Sequence, residues 1–304
     1  MRKIQLLLLF TLFYVQNVLA QDVPKELIVA IGHTQMDKKG AEVDKLLQEY
    51  LAKKLAMPVK VYYPKNIFEM LDKIDSSKVH VVDINPFGYV MASLNGKVDV
   101  IAIRGNKDKQ VETYNSCILV NSKSPIKKIE DIKKIGSKLE MAFVNAASTS
   151  GHLVPRLYFN SINLDVETIF KSVAFKGTHV NVTDYLKTNP NAVGACAYNF
   201  FLDQVAEGKI KKEDYRILWK SPNIPHGPVA ALKNLNPTLR NKIQEAYLAI
   251  PTEAPDLWKI MLANWYAKPE NTTYIKGSDE AFNSLRKITN EAEDLILILN
   301  FYRE

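Results

Sequence analysis

The chain has 304 residues, 47% of them hydrophobic, and 40 basic against 33 acidic side chains, for a net charge of +7. That length and apolar content exclude a disordered chain and fit one large domain or two ordinary ones. The excess lysine is spread thinly, in doublets such as Lys53-Lys54 and Lys127-Lys128, which argues against a nucleic-acid binder, whose charge gathers on one face. A mild positive field of this kind can draw in a small anion.

The N-terminus reads as an export signal. Arg2 and Lys3 precede an apolar run from Ile4 to Val15, and Val18-Leu19-Ala20 offers small or apolar residues at a cleavage point. The run is shorter than the ~20 residues a membrane span needs, so residues 1–20 are expected to be a cleaved signal peptide. No Cys follows to carry a lipid anchor. Cleavage after Ala20 would leave Gln21 first.

Beyond it, strand-like runs alternate with helical spacing. Leu27–Gly32, Val59–Tyr63, Val79–Ile84 and Val98–Ile103 read as strands. Between them, residues 42–55, 67–74 and 86–95 carry helical periodicity. This βαβαβ order predicts an α/β fold with helices on both faces of each central sheet. A second half follows: strands at Cys117–Asn121, Met141–Val144, Val173–Phe175 and Ala192–Cys196, with helices opening at Ile129 and Leu153, after which Ile217–Trp219 begins a stretch leading to Pro222, Pro225 and Pro228. From Pro237 the pattern is almost wholly helical, over 238–249, 253–266 and 279–302, and Leu295–Leu299 reads as a buried helix end. The natural parse is two lobes: 21–114 as the first part of lobe one, 115–218 as lobe two, and 219–304 returning to lobe one. Ligand sites favour such a junction.

Cys117 and Cys196 are expected to be buried free thiols, although an exported chain could pair them. The five histidines, His33, His80, His152, His179 and His226, show no metal-ligand spacing, so neither a metal nor a cofactor is expected.

The most informative stretch is Ser148-Thr149-Ser150-Gly151-His152-Leu153-Val154-Pro155. It follows a predicted strand and opens a predicted helix. The first-turn amides of a helix have no partners within it. They point together, with the positive end of the helix dipole, towards one spot. Three hydroxyls added there make an anion cradle without a full cation. Gly151 allows a close approach at that point. The same residues read equally well as an ordinary Ser/Thr helix cap.

That stretch resembles the signature of the phosphate/phosphite/phosphonate-binding proteins of ABC importers. Asn85-Pro86-Phe87-Gly88-Tyr89-Val90-Met91-Ala92 is similar to another of the family's segments. Phe175-Lys176-Gly177-Thr178-His179, Val193-Gly194-Ala195 and Ser221-Pro222-Asn223-Ile224-Pro225 match further landmarks in order. The resemblance implies the type-two periplasmic binding protein fold, two lobes closing on a ligand in the cleft between them. It implies that Ser148, Thr149 and Ser150 hold phosphoryl-type oxygens and that His179 reaches the same oxygens. Tyr89 would offer its phenol or the cleft wall, or pack beneath the pocket, and Asn85 would sit at a strand end where α/β sheets bind ligands. His152, one helix step away, reads as structural, and His33 is a further candidate for the cleft lining.

Three positions depart from the family pattern. Ala197 stands where Asp is usual, Ile67 replaces a Tyr, and His80 replaces a common Asp. The oxyanion cradle is therefore expected to be intact and the flanking shell altered. The implied function is the periplasmic solute-binding component of an ABC-type importer. It would capture phosphate, phosphite or a simple phosphonate and deliver it, as a monomer, to a membrane permease. A ligand sensor docking to a membrane receptor is the alternative. An enzyme is the third reading, but Ser148 or Ser150 with His179 lacks a nucleophile elbow and a third residue to orient the base.

Overall fold

A computed structural model describes residues 23–32, 38–264 and 271–288. The expected signal peptide, His33, the Leu295–Leu299 run and the far ends of the last two predicted helices lie outside the described residues.

Two sheets organise the molecule. The first has strands β1 (Leu27–Ile31), β2 (Val59–Tyr62), β3 (Val81–Asp83), β4 (Val98–Asn106), β12 (Val229–Leu232) and β13 (Thr272–Ile275), in the order β13-β4-β12-β3-β1-β2. β1 runs parallel to β2 and β3, whereas β12 is antiparallel to both β3 and β4. Helix α1 (Lys38–Leu55) places Val43, Leu47, Leu51 and Leu55 at helical spacing, and all four are buried in the first core. Helices α2 (Ile67–Asp75) and α3 (Pro86–Ser93) complete this half. Asn85 caps α3 by accepting from the Gly88 amide at 2.7 Å, and Pro86 starts it, where a missing N–H costs nothing.

The chain leaves the first sheet through β5 (Thr113–Tyr114) and enters the second, whose strands are β6 (Ser116–Asn121), β7 (Glu140–Phe143), β8 (Ser172–Phe175), β9 (Ala192–Ala197) and β10 (Tyr215–Lys220). Their order is β10-β6-β9-β7-β8. The short helix α4 (Ile132–Ile135) precedes β7. A π-turn at Thr149–Leu153 then leads into α5 (Val154–Ser161), followed by α6 (Val166–Ile169), α7 (His179–Thr188) and α8 (Tyr198–Ala206). β6 and β9 are buried along their whole length, as central strands covered on both faces must be.

The return passes through β11 (Ile224–Pro225), which pairs antiparallel with β5, Ile224 opposite Tyr114. The two lobes are thus joined by two crossing segments hydrogen-bonded to each other. Helices α9 (Pro237–Glu253) and α10 (Pro255–Asn264) pack on the first core. A short α11 (Asn283–Ile288) closes the described chain.

Two strands of the first sheet carried no sequence expectation. β13, in the gap between the helical stretches expected over 253–266 and 279–302, adds an antiparallel edge strand to β4. β12 lies after a proline-rich stretch that carried no strand expectation, yet it fills the centre of the first sheet. The last strand of the second sheet, β10, ends at Lys220.

Candidate functional site

The cradle is built on the step from β7 into the π-turn and α5. Ser148 is extended and its Oγ accepts from the Gly151 amide at 3.0 Å, which makes it a true helix cap. Its O–H remains a donor. The turn then runs Leu153 N–H to Ser148 O, leaving the Thr149 and Ser150 amides in the first turn, where no intrahelical acceptor exists. Both residues are nearly buried, 3% and 4% exposed.

They are buried because the other lobe meets them. The Phe87 amide, in the first turn of α3, donates to Thr149 Oγ1 at 3.2 Å. Asn85 Nδ2 donates to the Ala147 carbonyl at 3.3 Å, and Thr149 Oγ1 lies 3.4 Å from Asn85 Oδ1. Two helix N-termini, one from each lobe, therefore converge on Thr149. Their dipoles present positive ends to the same small volume. Amides and hydroxyls arranged in this way can hold an anion.

Gly151 has a different job from the expected one. A Cβ there would lie 2.3 Å from Val144 Cγ2 and 2.6 Å from Val144 Cβ, so the glycine lets the turn sit on its own strand rather than admitting the other lobe. Gly151→Ala is expected to cost roughly 1–3 kcal/mol of stability by overpacking, read as a lower urea midpoint with an unchanged slope. No loss of stability would mean that Val144 yields freely.

His179 is the first residue of α7, capped by Thr178. Its Nδ1 accepts from the Ala197 amide at 3.2 Å, which assigns the proton to Nε2. Burial pushes its pKa down to about 4. The imidazole is therefore a neutral N–H donor at pH 7. Its link to the cradle is short. Ala197 is the cross-strand partner of Ser116, whose hydroxyl donates to the Ser150 carbonyl at 2.6 Å.

Tyr89 is not brought to this cluster. It is fully buried, its hydroxyl donates to Asp279 at 2.7 Å, and its ring lies 4.5 Å from Phe282. Its helical position points it into the first lobe's own core.

Another tyrosine is at the cradle. Tyr114, on the crossing strand β5, lies within hydrogen-bonding reach of Ser150 and Thr149, which hold its pKa down against burial, although burial still pushes it up to about 12. The ring is fixed by stacking on His226, centroids 4.8 Å apart. His226 Nδ1 is 3.2 Å from Arg104 Nη1, and Arg104 Nη2 donates to Glu112 at 3.0 Å. Because arginine can only donate, Nδ1 is the acceptor and His226 is neutral. The cation behind the site thus has a carboxylate partner. Sequence spacing could not single out Tyr114, because it lies in no motif and falls at the expected lobe boundary.

His152 is structural. Its Nδ1–H donates to the Ala146 carbonyl at 2.7 Å and its Nε2 accepts from Arg156 Nε at 2.8 Å. Arg156 in turn grips Glu167 with both terminal nitrogens, Nη2 at 2.9 Å from Oε1. Of the three altered positions, Ala197 meets His179 through its amide, and Ile67 packs on the first core with its Cδ1 2.8 Å from where a Cβ on Gly88 would stand. His80 is remote in role, its Nδ1 accepting from the Ile28 amide at 2.9 Å. No group of three or more metal-ligating side chains is found among the described residues, and no helix among them is long and apolar enough to cross a membrane.

Comparison with known proteins gives a consistent picture. Residues 37–274 match the family model described as ABC transporter, phosphonate, periplasmic substrate-binding protein. A curated relative, the phosphonates-binding periplasmic protein of Escherichia coli strain K12, is 26% identical over 208 residues, spanning 65% of this chain and 58% of the relative's length. Two solved structures share the fold. A binding protein component of an ABC phosphonate transporter from Pseudomonas aeruginosa has a TM-score of 0.69 at 19% identity, covering 88% of this chain and 86% of its own. A protein of Prochlorococcus marinus solved with methylphosphonate has a TM-score of 0.68 at 20% identity, covering 89% and 99%. The aliphatic sulphonate binding protein of Escherichia coli has a TM-score of 0.57 at 15% identity, covering 90% and 94%.

Proposed function

Since this chain belongs to the family of periplasmic substrate-binding proteins of phosphonate ABC transporters, we propose that it captures a small phosphorus oxyanion lacking a cationic tail. The anion lies between the first turns of α3 and the π-turn, and the complex is presented to a membrane permease. The observation that carries this reading is the convergence of both helix N-termini on Thr149. In this reading the ligand's oxygens take donors from the Thr149 and Ser150 amides and hydroxyls, from Ser148, from the Tyr114 phenol and from the neutral Nε2–H of His179. Asn85 holds the opposite helix start in place. Tyr89 takes no part.

Lobe closure supplies the mechanism. The bonds from Asn85 and Phe87 to Ala147 and Thr149 span the junction, and an anion at that point adds attraction to both sides. It shifts the equilibrium towards the closed shape to the extent that it binds that shape better. The β5–β11 pair, where Tyr114 resides, is the natural hinge.

Alanine at position 197, beside His179, leaves no carboxylate there to pair with an amine. Methylphosphonate is therefore expected to bind at least ten-fold more tightly than 2-aminoethylphosphonate. Calorimetric titration of ligand-free protein with methylphosphonate, phosphite, phosphate, aminoethylphosphonate and sulfate measures this. A preference for the aminoalkyl ligand would overturn the specificity reading. Binding of sulfate alone would overturn the phosphorus assignment.

A further inference from the structure

Cys117 and Cys196 are directly opposed residues of the antiparallel pair β6–β9. Both are fully buried, and their sulfurs face each other at 3.6 Å. Their neighbours in the same core include Leu119, Val144, Val182, Leu186 and Phe201. Directly opposed antiparallel residues have Cα atoms about 4.5–5.5 Å apart, inside the roughly 4.4–6.8 Å that a disulfide spans. Small side-chain rotations bring the sulfurs from contact to bonding distance without moving the strands.

We propose that this pair is an oxidation site, closed to a cross-strand disulfide in the exported protein. The inference rests on residence in an oxidising compartment, which the periplasmic family implies, and not on the identity of the ligand. One cysteine thiolate attacks the disulfide of a dithiol oxidant, and the second cysteine displaces the oxidant from the mixed disulfide. Two protons and two electrons leave the pair, and the oxidant's disulfide is reduced to two thiols. The step belongs to folding. In the folded lobe the contact with Cys117 and burial push the Cys196 thiol well up, which leaves little thiolate to react.

The location ties the bond to the cradle. The next cross-strand pair is Ser116 and Ala197. Ser116 holds the Ser150 carbonyl, and the Ala197 amide holds His179. A covalent tie between residues 117 and 196, 79 positions apart, closes a loop that contains the cradle and His179 together. The bridge fixes the strand pair from which both sets of ligand contacts hang.

The experiment is intact mass spectrometry of the full chain, exported with its own leader and unfolded in maleimide with and without prior reduction. The expected result is no maleimide added without reduction and two after it. Reduction should also lower the melting temperature by on the order of 10 °C, as a long closed loop implies. The Cys117→Ala/Cys196→Ala variant should show no such dependence on reductant. Two reactive thiols in a chain whose leader has been removed would overturn the bridge. A chain that keeps its leader overturns export and the bridge together, and the same spectrum distinguishes the two cases.

Discussion

Replacing Thr149 and Ser150 together by alanine is expected to weaken methylphosphonate binding by about 10²–10⁴-fold. In the proposed complex each hydroxyl donates to a charged ligand, and a hydrogen bond to a charged group is worth about 1.5–3 kcal/mol. Two such losses, at 1.4 kcal/mol per decade, give that range. Thr149 carries a second burden. Without its Oγ1 the Phe87 amide loses its acceptor across the junction, so the closed form itself weakens. Thr149→Ser, which keeps the hydroxyl, should bind within a few fold of the parent and separates loss of the donor from loss of the fold. Titration calorimetry reads the affinities, and the melting temperature checks that the variants fold. An unchanged affinity in the double variant would move the ligand away from this turn altogether.

The second large effect is on stability in mild acid. His152 is fully buried, and burial together with the adjacent Arg156 holds its pKa down to about 3. The unfolded chain takes up a proton near pH 6.5 and the folded chain does not, so the unfolded state binds more protons below that point. Stability is therefore complete above pH 6.5 and falls as the pH is lowered towards 3. The slope is about 1.4 kcal/mol per unit, or roughly 2 kcal/mol by pH 5 from this group alone. Burial of His179 and His226 acts in the same direction. The window lies above the range where most carboxylates titrate, so the histidines dominate it. Urea unfolding at pH 7.5, 6 and 5 measures the slope. His152→Gln, which keeps a donor and an acceptor but does not titrate, should flatten it. An identical slope in that variant would assign the effect elsewhere.

Much of this was legible in the residues. The strands of the first sheet up to β4 are short apolar runs separated by helical periodicity, and local pattern suffices for them. The helix cap at Ser148 was signalled by a run of hydroxyls where a strand gives way to a helix. What local pattern could not reveal is who meets whom. β12 is four apolar residues after a set of prolines, and only its two distant partners make it a central strand. Tyr89 and Tyr114 show the same point in one residue type. A tyrosine inside a matching motif turned inward to Asp279, and one in a two-residue crossing strand reached the hydroxyls. The contrast depends on which partners meet the two rings, Asp279 and Phe282 in one case and the hydroxyls of the other lobe in the second, and those partners are distant in sequence.

The position of β12 has a consequence for how the protein is made. β3 and β4 do not touch each other along their edges; β12 sits between them, and it is translated only after the whole second lobe. A chain emerging N-terminus first therefore cannot complete its first sheet. The slot between these strands stays open, with their backbone groups wetted by solvent, until the last third of the sequence has arrived. The topology itself thus keeps the leading half from locking early. A truncation ending at Pro225 should consequently behave as an unfolded or aggregating fragment, even though it contains both arms of the anion cradle.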